Sequence, residues 1–510
     1  MEMALFRILY LLFLALFMFS SCSPRAEIPE NAQPVSEEAR IYPDYRDIVI
    51  PVNIAPLNMI AQVEGDQFVL SVQGEKAGAI IVAAGKSGKL KFEESSWHSL
   101  LKENSGKDLH VTLYARKDGN WVKYPAYLLT VAPEEIDTYL NYRLIEPGYE
   151  LYRQMGIYER NLTNFTELPI YENGAGGDFN HCVNCHNFQN HSTQNFMFHV
   201  REKHGGTVFV QNGKVDKRIM TNDSILGNAV YPSWHPSKPW IVFSSNMTSQ
   251  VFHLRDRQKA EVIDSGSDLI FYDVENHTVS NILKTNSDLE NFPCWTPDGK
   301  SIYYCSAHLD ALDSLAVKDT HHRERAVRER YKDIHYNLMK IDYEESTQTW
   351  GEPQLVIDCA QQGLSVSVPR VSPDGRYVLF TLGEFGQFHI WHKSSDLYVL
   401  DIQKNEIHPL EKTNSTDVDS YHSWSSNGRW MVFSSRRDDG SYTRPYIAYF
   451  DKDGNDYKAF MLPQEDPEDN LLRLRSYNVP ELTKDAIQIS SSQLGDVIYA
   501  DNEARKVTYK

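Results

Sequence analysis

The residues with the most distinctive chemistry are His181-Cys182-Val183-Asn184-Cys185-His186. Two thiols three residues apart, followed directly by an imidazole, have the spacing of covalent c-type haem attachment. Each thiol adds to one haem vinyl group, and His186 supplies the proximal iron ligand, imidazole being a standard axial ligand. On one helical turn both cysteines share a face, so the expectation is a helical haem segment. Beyond it, Phe196, Phe198 and Val200 alternate with Met197, His199 and Arg201. On a strand, Met197 and His199 share the face opposite the phenylalanines. The order of preference for the sixth iron ligand is His199, then Met197, then His204. His191 follows His186 so closely that it falls on the proximal side. The rival chemistry is zinc. Cys182 and Cys185 with His199 and His204 give C-x2-C…H-x4-H, within the range of a tetrahedral Cys2His2 site. A thioredoxin-like dithiol wants a βαβ context, which is missing here.

The compartment decides between haem and zinc. Arg7, an apolar run from Ile8 to Phe19 and Ser20-Ser21-Cys22 make a signal peptide too short to span a bilayer. The stretch resembles a bacterial lipoprotein signal, departing from it at Phe19, where leucine is usual. That resemblance implies lipidation of Cys22 and anchoring in the bacterial cell envelope, on the periplasmic side or the cell surface. Bacterial c-type haem attachment takes place outside the cytoplasm, so haem c is the preferred cofactor and zinc the alternative. The balance of 69 acidic to 51 basic residues, net charge −18, argues against a nucleic-acid partner. Six cysteines in 510 residues exclude a disulfide scaffold. Cys294, Cys305 and Cys359 read as small buried apolar residues.

The elements that position these residues are mainly β, and the length implies more than one domain. Residues 1–22 are the signal and 23–47 a polar tether. Residues 48–132 hold short β-rich runs, such as Phe68 to Val72 and Leu109 to Tyr114, spaced by turns as in an Ig-like β-sandwich. Residues 133–206 have a helical period, with Tyr139, Leu140, Tyr142 and Leu144 before Pro147-Gly148 and Tyr149, Leu151, Tyr152 and Met155 after it. From 207 to 510 the chain repeats. Tyr231-Pro232-Ser233-Trp234, Phe292-Pro293-Cys294-Trp295, Val368-Pro369-Arg370-Val371 and His422-Ser423-Trp424 each precede a turn and an alternating strand. Asp298-Gly299, Asp374-Gly375 and Asn427-Gly428 supply the turn chemistry.

This pattern, P-x-W-x-P-D-G-K/R-x-I/V-x-F-x-S, resembles the TolB-type β-propeller repeat over roughly residues 207–465. The resemblance implies a six-bladed ring, four copies being clear and the others degenerate, supplied by residues 207–220 and by strands near Ile487 and Val497. A charged insert near 310–333 reads as a solvated helix. The arrangement also resembles exported propeller lipoproteins of Bacteroidetes-type bacteria carrying one CxxCH before the repeats. The expected function is a membrane-anchored monohaem c-type cytochrome-like protein. It transfers electrons or docks a redox or envelope protein partner. The alternative is a propeller recognition or scaffold lipoprotein, its Cys/His cluster a structural zinc site or a haem not used for electron transfer. No G-x-S-x-G elbow and no kinase or protease motif supports an enzyme.

Overall fold

Strands dominate because β-branched and aromatic residues alternate with polar ones over most of the chain. The computed structural model describes residues 26–76, 78–146, 155–177, 180–253, 260–309, 320–500 and 505–510. The signal with Cys22, and Tyr149, Leu151 and Tyr152, lie outside the described residues.

Six mainly antiparallel blades follow one another around an axis, blades two and three being joined by a bridge into one sheet, and in blades one to five the innermost strand leads: a six-bladed β-propeller. Blade one is His181–Gln189, Ser192–Glu202, Gly206–Gln211 and Lys214–Ile219. Blades two to five begin with Asn228–Trp234, Asp288–Trp295, Ser365–Val371 and Asp419–Trp424. Blade six is closed by both ends of the domain. Its innermost strand, Ser476–Thr483, pairs with Tyr139–Ile145, which is followed outward by Gly156–Asn161 and Glu167–Glu172. The motif turns of the repeat form as expected. Gly299, Gly375 and Gly428 sit at φ 68, 73 and 67°, where glycine carries no Cβ penalty. Side chains of Asp298, Asp374 and Asn427 accept the backbone N–H two residues on, at 3.1, 3.1 and 3.0 Å. In the first copy, which lacks Asp-Gly, the His235 Nδ1 takes that role for Ser237 and Lys238.

Each innermost strand carries the same irregularity. Cys185, Tyr231, Phe292, Val368, Tyr421 and Val479 all adopt φ between 48 and 51°, and the register with the second strand shifts at each of these bulges. Left-handed backbone at six non-glycine residues, two of them β-branched, is strained and is held by its surroundings. What holds it is a ring of contacts between neighbouring blades, made two or three residues past each bulge. Glu481 Oε1 accepts from Asn187 Nδ2 and Phe188 N (2.9 and 3.1 Å). The Asn187 carbonyl accepts from the Trp234 indole (3.2 Å) and Ser233 Oγ from Trp295 N (3.1 Å). The Arg370 carbonyl accepts from the Trp424 indole (3.1 Å), and Ser423 Oγ donates to the Pro480 carbonyl (2.9 Å). The repeat tryptophans therefore bridge blades as well as filling the core. Trp424→Ala is expected to destabilise the protein by about 3–5 kcal/mol in denaturant unfolding, through lost packing and an unpaired carbonyl.

The structure corrects several boundaries. The described residues between 139 and 206 lie mainly in strands, not helices, because their apolar residues alternate across sheets: Phe196, Phe198 and Val200 enter one core and Met197 another. The propeller thus spans 139–483 rather than starting at 207; residues 206–219 are outer strands of blade one. The segment near Val497 is a helix, Ser491–Tyr499, whose Leu494 and Ile498 pack on blades one and six. The amino-terminal domain is a mixed seven-stranded sheet with a small three-stranded sheet and a helix, Glu94–Glu103. Its parallel pairings of Gln33–Pro34 with residues 122–123 and of Ile48–Pro51 with residues 129–132 depart from an Ig-like sandwich. Residues 33–47 are not a free tether. Ala39, Ile41 and Tyr45 are buried, Tyr42 Oη donates to Asp438 (2.9 Å), and Lys458 donates to Asp44 (3.0 Å). This domain shares one apolar core with blades five and six. Of the charged insert, residues 320–329 form the expected helix, but its Val327 is fully buried.

Candidate functional site

The cysteine–histidine motif lies on the innermost strand of blade one, and Cys185 is itself the bulge residue. On a uniform strand, residues three apart face opposite ways. The bulge resets that alternation: Val183, paired with Val200, and Phe188, paired with Phe196, enter the same core although five residues apart. Cys185 lines the cavity on the ring axis, whereas Cys182, paired with Arg201 in the register, is buried off its lining; the two thiols act on each other electrostatically. Burial pushes the Cys182 thiol up, with Arg143 and Arg201 opposing it.

The six bulges surround the axis, and five of them, Cys185, Tyr231, Phe292, Tyr421 and Val479, line with His186 a cavity of about 400 Å³. A second, more polar cavity of about 610 Å³ lies between blades one and two, lined by His199, Arg201, Thr207 and Asn246; Tyr231 borders both.

The position after the bulge is proline in blades two, three, four and six and histidine in blades one and five. Both face backbone carbonyls of the preceding blade, but only one makes a well-aligned hydrogen bond there. His422 Nε2 bonds the Leu379 carbonyl at 3.1 Å. His186 is buried and lines the axial cavity; the backbone carbonyls of Val479 and Asn141 face its ring, and neither nitrogen makes a well-aligned hydrogen bond. Leaving a buried polar group unpaired costs about 1–3 kcal/mol, so an imidazole that is only poorly bonded on a cavity wall calls for an explanation. Burial holds it neutral, pulling its pKa down to about 4, so a ring nitrogen lone pair is available to a metal.

The expected sixth ligands lie elsewhere. Met197, opposite Asn187 in the register, is fully buried among Phe209, Trp234 and Phe243. His199 bonds Thr207 Oγ1 through Nδ1 (2.8 Å) and faces the second cavity. His204 packs edge-on against Tyr499 and His181. The alternation expected for 196–200 is present, but it carries Met197 and His199 away from the cavity that His186 lines. Nor do Cys182, Cys185, His199 and His204 converge as a zinc site would require; among the described residues, no three His, Cys, Asp or Glu side chains group around a possible metal position. His191 lines the axial cavity with Nδ1 engaged to the Leu482 carbonyl (3.0 Å). Cys294, Cys305 and Cys359 are buried free thiols, as read.

Sequence reasoning missed Arg143, Arg201 and Arg370 beside the motif and the ring of Tyr231 and Tyr421. The signal for the ring was present: Cys185-His186-Asn187-Phe188 and Val479-Pro480-Glu481-Leu482 are further copies of the aromatic-Pro-x-Trp pattern.

A buried acidic group sits between blades two and three. Burial raises Asp264 to about 7 and Glu290 to about 8, Glu290 also facing Asp268; Thr285 hydrogen-bonds Glu290, and Arg323 acts on both carboxyls. Unfolded carboxyls titrate near 4. The folded state therefore holds extra protons, and this stabilisation, complete below pH 4, is lost as pH rises through 7–8. Histidines depressed by burial, His389 and His422 to about 3, act oppositely but only below their unfolded value near 6.5. From pH 6.5 to 8.5, stability in denaturant titrations is thus expected to fall, by on the order of 2 kcal/mol from Glu290; Glu290→Gln flattens that dependence.

No protein-family model matches the chain, and no curated protein matches it. Among solved structures it is similar to an oligogalacturonate lyase in complex with manganese, at 10% identity and TM-score 0.35, covering 64% of this chain and 74% of that one. It is also similar to Kuenenia stuttgartiensis hydrazine synthase, at 12% identity and TM-score 0.40, covering 66% and 48%. A third is prolyl oligopeptidase B from Galerina marginata, at 9% and 0.36, covering 69% and 42%. The chain spans less than half the length of the last two. At such identities the propeller rests on the sheet topology, not on these likenesses.

Proposed function

We propose that the chain is an exported, lipid-anchored monohaem c-type cytochrome-like propeller that exchanges electrons with an envelope protein partner. The observation that carries this reading is His186: a buried, neutral imidazole without a well-aligned hydrogen bond, on the wall of an axial cavity and beside two thiols at haem-attachment spacing. Cys182 and Cys185 would anchor the porphyrin, and His186 would ligate its iron. Bound there, the haem supplies a one-electron couple. The protein's part is to fix the imidazole and, with Tyr231, Phe292 and Tyr421, to limit access of water, which tunes the potential.

One observation favours a second reading of the same site. None of His199, Met197 and His204 lines the cavity of His186, and His191 and His422 already bond backbone carbonyls. An iron without a protein sixth ligand binds small molecules as well as electrons. Residues 23–510, exported in a host with haem-maturation machinery, are expected to keep a haem c α-band in pyridine after acidified-acetone extraction. A low-spin spectrum would favour electron transfer, and a high-spin one small-molecule binding. A colourless protein with stoichiometric zinc would contradict both.

A further inference from the structure

The six bulge positions surround the axis, and three of them carry a polar side-chain atom: Cys185, Tyr231 and Tyr421. Tyr231 belongs to blade two and Tyr421 to blade five, opposite blades of a six-bladed ring. Both line the cavity that Cys185 and His186 also line. The two phenols act on each other electrostatically, and each acts on Cys185. Packing fixes both rings. Tyr231 lies against Phe292 with centroids 4.1 Å apart, and Tyr421 stands edge-on to Phe388 at 5.7 Å.

A buried phenol ordinarily finds a hydrogen-bond partner. Neither of these hydroxyls has one among the described residues, although burial keeps both protonated and so able to donate. The hydroxyls of Tyr45 and Tyr377 are also unbonded but are closed in by protein, whereas those of Tyr231 and Tyr421 open onto free space. Other polar groups on the cavity wall are committed: His191 and His422 to the Leu482 and Leu379 carbonyls, Ser423 to Pro480, Thr296 to Ser301 and Asn187 to Glu481. The fold does not require the two hydroxyls. Phenylalanine takes the same position in blade three, and valine takes it in blades four and six. Of the charged groups on this wall, Arg370 favours an anion. Glu481 opposes one, but burial raises it to about 7, and Asn187 and Phe188 already bond it. Two neutral O–H donors facing one water-poor space suit a small anion, since a hydrogen bond to a charged acceptor is the stronger kind.

We propose that Tyr231 and Tyr421 are hydrogen-bond donors to a small inorganic anion held on the axis as the sixth ligand of the haem iron. This rests on the haem reading above, in the form that leaves the iron without a protein sixth ligand. Donors beside the iron decide which small ligands a haem keeps. The test uses exported residues 23–510, the variants Tyr231→Phe and Tyr421→Phe, and the double variant. Fluoride on the ferric protein is the probe anion, and carbon monoxide on the ferrous protein is the neutral control. Covalent haem, read by pyridine haemochrome, is expected to stay complete, and carbon monoxide affinity to change less than about twofold. Fluoride is expected to bind each single variant about tenfold more weakly than the wild type, and the double variant more weakly still. Phenylalanine already stands at this position in blade three, so both variants are expected to fold, and each tests the proposal without the other. A double variant with full haem c and unchanged fluoride affinity would overturn the assignment and leave the haem reading standing. Equal losses for fluoride and carbon monoxide would report an altered cavity shape and overturn it too. A resting ferric spectrum that changes in one single variant would place that phenolate on the iron, which also overturns it, as would a low-spin wild type that binds neither ligand. A wild type without haem c would overturn the reading and this assignment together.

Discussion

A chain ending at Arg475 is expected not to form the ring. It lacks Ser476–Thr483, the innermost strand of blade six, and with it the buried Tyr477, Leu482 and Thr483. Tyr139–Ile145 then loses one of its two neighbours, Asn141 loses its bond to Thr483 (2.9 Å), and Glu481 no longer ties blade six to blade one. Closure is what removes the open edges of a propeller, so the lost strand exposes edges on both sides of the gap. The expected result is an aggregating protein without a cooperative unfolding transition. A chain ending at Ser490 is the contrast. It loses the helix covering blades one and six, with the burial of Leu494 and Ile498 at about 1.5–3 kcal/mol each, and the short strands Arg505–Lys506 and Thr508–Tyr509 with buried Val507 on the outer edges of blades one and two; it should melt cooperatively at a lower temperature.

The second large effect separates two histidines at one position of the repeat. His186→Ala is expected to retain the covalent haem and to change its optical spectrum, since the axial ligand is gone; added imidazole should restore the wild-type bands. His422→Ala removes a ring that bonds the Leu379 carbonyl. It should cost about 1–3 kcal/mol for the buried acceptor left unpaired and leave the spectrum as it was. Equal spectral changes in both variants would mean that His186 has no special place at the iron.

What could be read beforehand follows how local the signal was. The four blades whose strands end in Pro-x-Trp, or its near variants, were legible because turn and alternation recur within about fifteen residues. Blade one was hidden because His186 and Phe188 stand where the repeat has proline and tryptophan. The haem-type spacing also suggested a helix, whereas pairing with 192–202 makes a bulged strand. Blade six was invisible to any periodicity, its innermost strand lying more than 300 residues from the strands it joins. The segment before Ile48 looked like a tether because its composition is polar; Ala39, Ile41 and Tyr45 are buried by a surface that only the folded blades provide. The chemistry at Cys182, Cys185 and His186 was named from spacing alone, while Tyr231, Phe292 and Tyr421 come to line the same cavity only when the blades close into a ring.

The most direct measurement is the mass of one peptide. Trypsin has no site between Arg160 and Arg201, so residues 161–201 leave as a single fragment holding Cys182, Cys185 and His186. From protein exported with haem-maturation machinery, this fragment is expected to carry the mass of one haem and to resist alkylation at both cysteines. The same fragment at its unmodified mass, with two alkylated thiols, would contradict the account.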